Sequence, residues 1–258
     1  MKALLPIFFH YFTGNDLIRI GRNHDGGYLL SKLDIEKSNS LISLGISDDW
    51  SFEEDFIKHN KVPLFAYDNS ISKEIFFKNI IKSILRIYKI KNILNWPKEV
   101  FKSIKVFFSY LNFFSEDRKH FQKLVGLDTG GVNCSMNEIF KSVTSNNIFL
   151  KIDIEGSEYR ALESITENED RIEGMVIEFH NCDINLNIIK NFIEKINLKL
   201  IHIHANNFGE IRSKDKLPIT LELTFSKNSK LTDQTLLPHP LDMPNNKLAS
   251  EISLSIEY

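Results

Sequence analysis

The chain has 258 residues, 42% hydrophobic and 26% charged, with a formal net charge of −2. That composition suits a globular chain with a sizeable core, and the balanced charge gives no global reason to expect nucleic acid binding. No apolar run approaches the roughly 18–20 residues that span a bilayer, and MKALLPIFFHYFTG, interrupted by Pro6 and His10, has no small-residue cleavage site and does not read as a signal peptide.

Along the chain, short β-branched runs alternate with helical patterns, which predicts βαβ units and a parallel sheet. The first strand is Ser40–Gly45, followed by a turn at Ile46–Trp50 and a helix from Ser51, where Ser51 and Glu54 have the spacing of a capping box. A second strand, Val62–Tyr67, ends at Asp68. Residues 71–115 form a basic insertion: Phe76, Phe77, Ile80, Ile81, Ile84, Leu85 and Tyr88 recur at helical spacing. Lys73, Lys78, Lys82, Arg86, Lys89, Lys91, Lys98, Lys102 and Lys105 face few acids there. Pro97 is expected to break this segment in two. It reads as helices packed on the core or capping it, with a membrane-surface contact or a homodimer contact as the alternatives. Val106–Phe114 reads as a third strand, Asp128–Asn133 as a loop and Ser135–Ser142 as a short helix. Then come a strand at Ile148–Ile154, a helix at Glu158–Ile165, a strand at Gly174–Phe179, a helix at Leu186–Ile196 and strands at Lys199–His204 and Thr220–Phe225. The tail Leu236–Asn246 is proline-rich and reads as an ordered loop, and with no repeat or low-complexity linker the chain, residues 1–258, is expected to be one domain. Cys134 and Cys182 belong to no CxxC pair or zinc spacing, so a reduced, cytoplasmic chain is expected.

In an open parallel sheet, ligands bind beyond the carboxyl ends of the strands. Those ends deliver Gly45, Ser47 and Asp48; Asp68 and Asn69; Asp153 and Glu155; Glu178 and His180; and His202, His204, Asn206 and Asn207. Gly45 permits close backbone approach, and Asp68, one strand further on, can bond ribose hydroxyls, so the pair reads as an adenosine-ribose site. A dinucleotide would need a G-x-G-x-x-G turn. LGISDDWSFE has one glycine, and Asp48 and Asp49 would repel a pyrophosphate while favouring a cationic sulfonium and ammonium. In KIDIEGSE, Asp153 and Glu155 share a face as the strand ends. Either Glu155 or Ser157 is expected to cap the next helix. His202, deeper in its strand, reads as structural, and His180 and His204 as functional.

KIDIEGSEYRAL, GMVIEFH, LGISDDWSFEEDF with Asp68, HIHANN and RIGRNHDGGYLL together resemble the FkbM-type branch of the class I methyltransferases. The resemblance covers most of residues 19–225 and is weakest over 71–115. It implies an α/β, Rossmann-like class I methyltransferase fold: a mostly parallel seven-stranded sheet with an antiparallel last strand, plus the helical insertion. It also implies S-adenosylmethionine as cofactor and O-methylation of a small-molecule or glycan substrate. That substrate would be a nucleotide-activated sugar or a surface-glycan component. Gly45, Ser47, Asp68 and Asn69 would contact the cofactor, with Asp25, Gly26, Gly27 and Tyr28 as a lid. Asp153, Glu178, His180 and His204 would be catalytic. A magnesium or manganese ion would be held by Asp153 and Glu178, with His180 favouring manganese. A non-catalytic protein of this fold and an NAD-dependent sugar-modifying enzyme are the alternatives.

Overall fold

In the computed structural model, the described residues are 1–85, 96–126, 129–232 and 236–257. The central sheet comprises β1 (Ser40–Leu44), β2 (Leu64–Tyr67), β3 (Arg118–Phe121), β4 (Ile148–Ile152), β5 (Ile172–Phe179), β6 (Lys199–Ala205) and β7 (Leu221–Ser226). Their spatial order is β6-β7-β5-β4-β1-β2-β3. β7 runs antiparallel to both neighbours, and the other pairs are parallel. This is a Rossmann-like α/β architecture, a mostly parallel seven-stranded sheet with the last strand reversed as expected. The helices are α1 (Lys32–Lys37), α2 (Ser51–His59), α3 (Lys73–Leu85), α4 (Trp96–Phe113), α5 (Met136–Ser142), α6 (Leu162–Glu167) and α7 (Cys182–Lys195).

Every residue of β1, β4 and β5 is buried, as continuous apolar strands covered on both faces must be. The period of two divides them between two cores. Ile148, Leu150 and Ile152 join the core that includes Ile139 and Phe140 of α5, Ile165 of α6 and Ile189 and Phe192 of α7. Phe149 joins the other, with Phe52 and Phe56 of α2 and the insertion's Phe76, Tyr110 and Phe113. Each such side chain is worth about 1.5–3 kcal/mol when fully buried. A hairpin of Leu17–Gly21 with Gly27–Ser31 lies against this second core through Ile20, Tyr28 and Leu30.

Several boundaries differ from the sequence expectations. The capping box of Ser51 and Glu54 does not form, because Ser51 is already the first helical residue. Trp50 takes the N-cap position without a side-chain bond, and Asp49 accepts from Ser51 N (3.1 Å) and Ser51 Oγ (3.2 Å). Val106–Phe114 is not a strand: it continues α4 to Phe113, with Tyr110 and Phe113 at helical spacing in the core. The third strand is the polar edge segment RKHF, which carries no apolar alternation to reveal it. Pro97 sits in the first turn of α4, where its missing N–H costs nothing. Tyr88, Arg86, Lys89 and Lys91 lie outside the described residues, as does Asp128. α7 begins four residues earlier than its apolar period indicates, after Asn181 in the left-handed region (φ 52°). Helix α5 carries a formed capping box between Ser135 and Glu138. Cys134 and Cys182 are free thiols and buried.

Candidate active site

The strand order reverses between β4 and β1, and a cavity of about 600 Å³ opens at their carboxyl ends, where open α/β sheets bind ligands. Its lining includes Gly26, Gly45, Ser47, Asp68, Asn69, Asp153 and Glu155, so the segments after β1, β2 and β4 converge as the sequence implied. Gly45 has φ +77°, and a Cβ there would lie 1.7 Å from the Asp153 carbonyl oxygen. The glycine is therefore required by the close packing of the two strand ends, in addition to any approach by a ligand.

Asp68 organises the loop after β1. Its Oδ2 accepts from Ile46 N (2.9 Å) and Ser47 N (2.7 Å), and its Oδ1 from Ser70 N and Ser70 Oγ (both 2.6 Å). Burial opposes its charge, but these bonds outweigh burial and hold the carboxyl below its ordinary range. Ser47 is held at φ +48° by this arrangement. Behind it, His120 Nε2 donates to the Asp68 carbonyl (3.0 Å) and its Nδ1 accepts from Tyr110 of the insertion (2.7 Å). Burial lowers the His120 pKa, which favours that neutral, bridging role.

The sequence reading missed the polar floor of the cavity. Ile148, Leu150 and Ile152 leave one face of β4 for the apolar core, and the strand period sends Phe149 and Lys151 to the other face. A buried ammonium there needs partners. Lys151 is 5% exposed and finds them in the Gly45 carbonyl and, at 3.6 Å, Asp153 Oδ2. Glu53 is 1% exposed and accepts from Ser43 Oγ, while its Oε2 has no hydrogen-bond partner among the described residues. Burial raises the Glu53 pKa, against the opposing pull of Lys151. Its place on the inner stripe of α2, between Phe52 and Phe56, was the available signal. Acids dominate the wall: Asp25, Asp48, Asp49, Asp68, Asp153 and Glu155 stand against Arg22, Lys123 and Lys151. That wall suits a ligand carrying positive charge.

A second group lies at the ends of β4 and β5. Tyr28 is buried, and its hydroxyl bonds Asp153 Oδ2 and Glu178 Oε2 (both 3.2 Å). Tyr28 therefore reaches the candidate catalytic acids, and neither it nor Gly27 lines the cavity. Burial lifts its pKa well above the phenolic range, and Asp153 and Glu178 add to this. Glu178 also accepts from Asn206 Nδ2 (2.9 Å). Burial raises the Glu178 pKa strongly, with Asp153 and Glu222 pushing the same way.

His180 Nδ1 donates to Glu158 Oε1 (2.7 Å), and its Nε2 lies 3.5 Å from both Glu155 Oε2 and Glu178 Oε1. Burial favours the neutral ring, but the bond to Glu158 and the surrounding carboxyls outweigh it and raise the pKa to about 9. Ser157 takes the N-cap position of the following turn without a side-chain cap bond, and Glu158 Oε1 accepts from Gly156 N at 3.1 Å. Glu155 instead turns back at φ +53° toward Asp153 and His180. One ligand atom from each of these three can lie within 4.8 Å of the others. A divalent ion would thus find Asp153, Glu155 and His180, once His180 has lost its proton. Glu178 stands outside this triad, with its oxygens engaged by Tyr28 and Asn206.

His204 does not line the cavity. It is 4% exposed, between Glu222 Oε2 (2.9 Å from Nδ1) and Glu251 Oε1 (3.3 Å from Nε2). Although burial works against protonation, Glu222 and Glu251 raise its pKa well above the ordinary value. His202 pairs with Asp242 (2.9 Å), in keeping with a structural role. Both histidines fasten the C-terminal segment to the sheet.

No family model matches the chain, and no curated protein does. Among solved structures it is similar to a precorrin-6y C5,15-methyltransferase from Geobacter metallireducens, at 10% identity over 76% of this chain and 85% of that one, TM-score 0.38. An rRNA methylase from Streptococcus thermophilus matches at 8% identity, over 76% of this chain and 92% of that one, TM-score 0.37. The fibrillarin pre-rRNA processing protein of Methanococcus jannaschii matches at 11% identity, over 76% and 70%, TM-score 0.36. Likenesses this remote carry no argument about chemistry, which rests on the chain's own strand order and rim.

Proposed function

We propose that this chain transfers the methyl group of S-adenosylmethionine to an oxygen of a sugar. The observation that carries the cofactor reading is the acid-walled cavity at the β1/β4 switch point, with Gly45 and Asp68 on adjacent strand ends. Its volume lies within the range of small-molecule sites. The sugar acceptor rests on the sequence resemblance.

Bound at this cavity, the cofactor supplies an activated methyl group whose sulfonium leaves as a neutral thioether. Asp68 and the loop it orders would hold the adenosine ribose. Glu53 and the acids of the β1 loop would face the cationic part. The acceptor hydroxyl must be aligned and must lose a proton. Asp153 is the base in this reading. Tyr28 holds its Oδ2, Glu178 can bond a sugar oxygen, and protonated His180 balances the carboxyls around it. In a second reading, favoured by the convergence of Asp153, Glu155 and His180, these three hold a magnesium or manganese ion that lowers the hydroxyl's pKa.

Transfer of labelled methyl groups to a panel of nucleotide sugars tests both readings. Asp153→Asn should lower turnover at least about 100-fold and leave cofactor affinity nearly unchanged. Near-normal turnover in that variant would remove Asp153 from the mechanism, and full activity after exhaustive chelation would remove the metal.

A further inference from the structure

Helices α3 and α4 carry charge and apolar surface that the cavity does not use. Residues 71–115 hold nine lysines and arginines against two acids, in a chain whose net charge is −2. Among the described residues, no ion pair engages Lys78, Lys82, Lys98, Lys102 or Lys105, and only Lys73 meets an acid, Glu74, at 3.9 Å.

The apolar surface is ordered as well as exposed. On α3, Phe77, Ile81, Ile84 and Leu85 are 53%, 43%, 44% and 66% exposed, at the i, i+4, i+7, i+8 spacing of one helical face. On α4, Phe101 and Phe108, seven residues apart, are 70% and 57% exposed. The opposite sides of the same helices are already satisfied. Phe76, Tyr110 and Phe113 are buried against Trp50, whose ring stacks on Phe113 at 6.4 Å. The two helices are also tied together, with Trp96 Nε1 donating to the Ser83 carbonyl (2.9 Å). A pair of helices anchored through one face thus presents aromatic and aliphatic side chains interleaved with lysines on the other.

We infer that this face docks on an anionic phospholipid bilayer, with the apolar side chains entering the headgroup boundary and the lysines meeting lipid phosphates. Charge complementarity selects this occupant: basic amphipathic helices with exposed aromatics bind in the interface plane, and each lysine near an anionic surface adds attraction. A second copy of the same face would instead oppose lysines to lysines. The association is peripheral, since no helix among the described residues is long and apolar enough to cross a membrane. It is independent of the chemistry at the cavity.

Co-flotation of the full chain with vesicles tests it, comparing phosphatidylcholine alone with phosphatidylcholine plus phosphatidylglycerol. The expected result is binding to the anionic vesicles only, weakened as salt rises from about 0.1 M to about 0.5 M. Phe77→Ser combined with Phe101→Ser and Phe108→Ser should abolish flotation. Replacing Lys78, Lys82, Lys102 and Lys105 with Glu should weaken binding at least about 100-fold. Both variants should keep the parent circular dichroism spectrum and melting temperature, because the substituted side chains are exposed. Failure to bind anionic vesicles, or equal binding to both kinds, would overturn the proposal. So would a dimer in sedimentation that the serine variant dissociates while vesicle binding is absent.

Discussion

His180 lies among Glu155, Glu158 and Glu178, and that setting decides its charge. Its pKa of about 9 in the folded chain exceeds the ordinary 6.5. The stabilisation it provides is therefore complete below about pH 6.5 and lost as pH rises through about 9. Solvent at the open edge of the ring screens part of that effect. His180→Gln should destabilise the fold by at most about 3 kcal/mol near pH 6 and by far less near pH 10, read as urea midpoints at the two pH values. Equal destabilisation at both would show that the ring's charge contributes nothing. At this scale the sequence revealed the residues that alternate at strand ends: Asp153, Glu178 and His180 are where strand periodicity put them. It did not reveal Glu158 or Glu53, because each is recruited by a neighbouring element. Glu158 serves the turn and the histidine of the next strand, and Glu53 reaches the sheet from α2. Nor could spacing show that Tyr28 crosses from the hairpin to the acids, or that Glu222 and Glu251 engage both ring nitrogens of His204.

Among the elements, the junction of β1 and β4 fixes the geometry of the site. The Asp153 N–H bonds the Leu44 carbonyl at 2.9 Å, and Gly45 leaves room for the Asp153 carbonyl. Gly45→Ala imposes both a left-handed backbone on a residue with a Cβ and a collision with that oxygen. The substitution should cost at least about 2 kcal/mol, seen as a lowered denaturation midpoint. An unchanged midpoint would mean the strand ends can part without penalty. Buried strands were readable locally from apolar runs, whereas the capping box was expected at Ser51 and Glu54 and forms at Ser135 and Glu138. The β3 edge strand was not, since RKHF is polar and takes its strand character from pairing with β2. The start of α7 was hidden similarly, because CDIN precedes the apolar repeat.

For the molecule as a whole, alternation of strands and helices was enough to predict the α/β class, and the resemblance supplied the reversed last strand. The cavity follows from the topology: the chain turns back at β1/β4, and the loops diverging there leave a space that neither fills. What it binds decides the function of the chain, and calorimetric titration with S-adenosylhomocysteine and, separately, NAD reads this out. One-to-one binding of S-adenosylhomocysteine is expected, with a Kd of about 1–100 μM, weakened at least about tenfold by Asp68→Ala, and no heat with NAD. Binding of NAD alone, or of neither ligand by a folded chain, would contradict it.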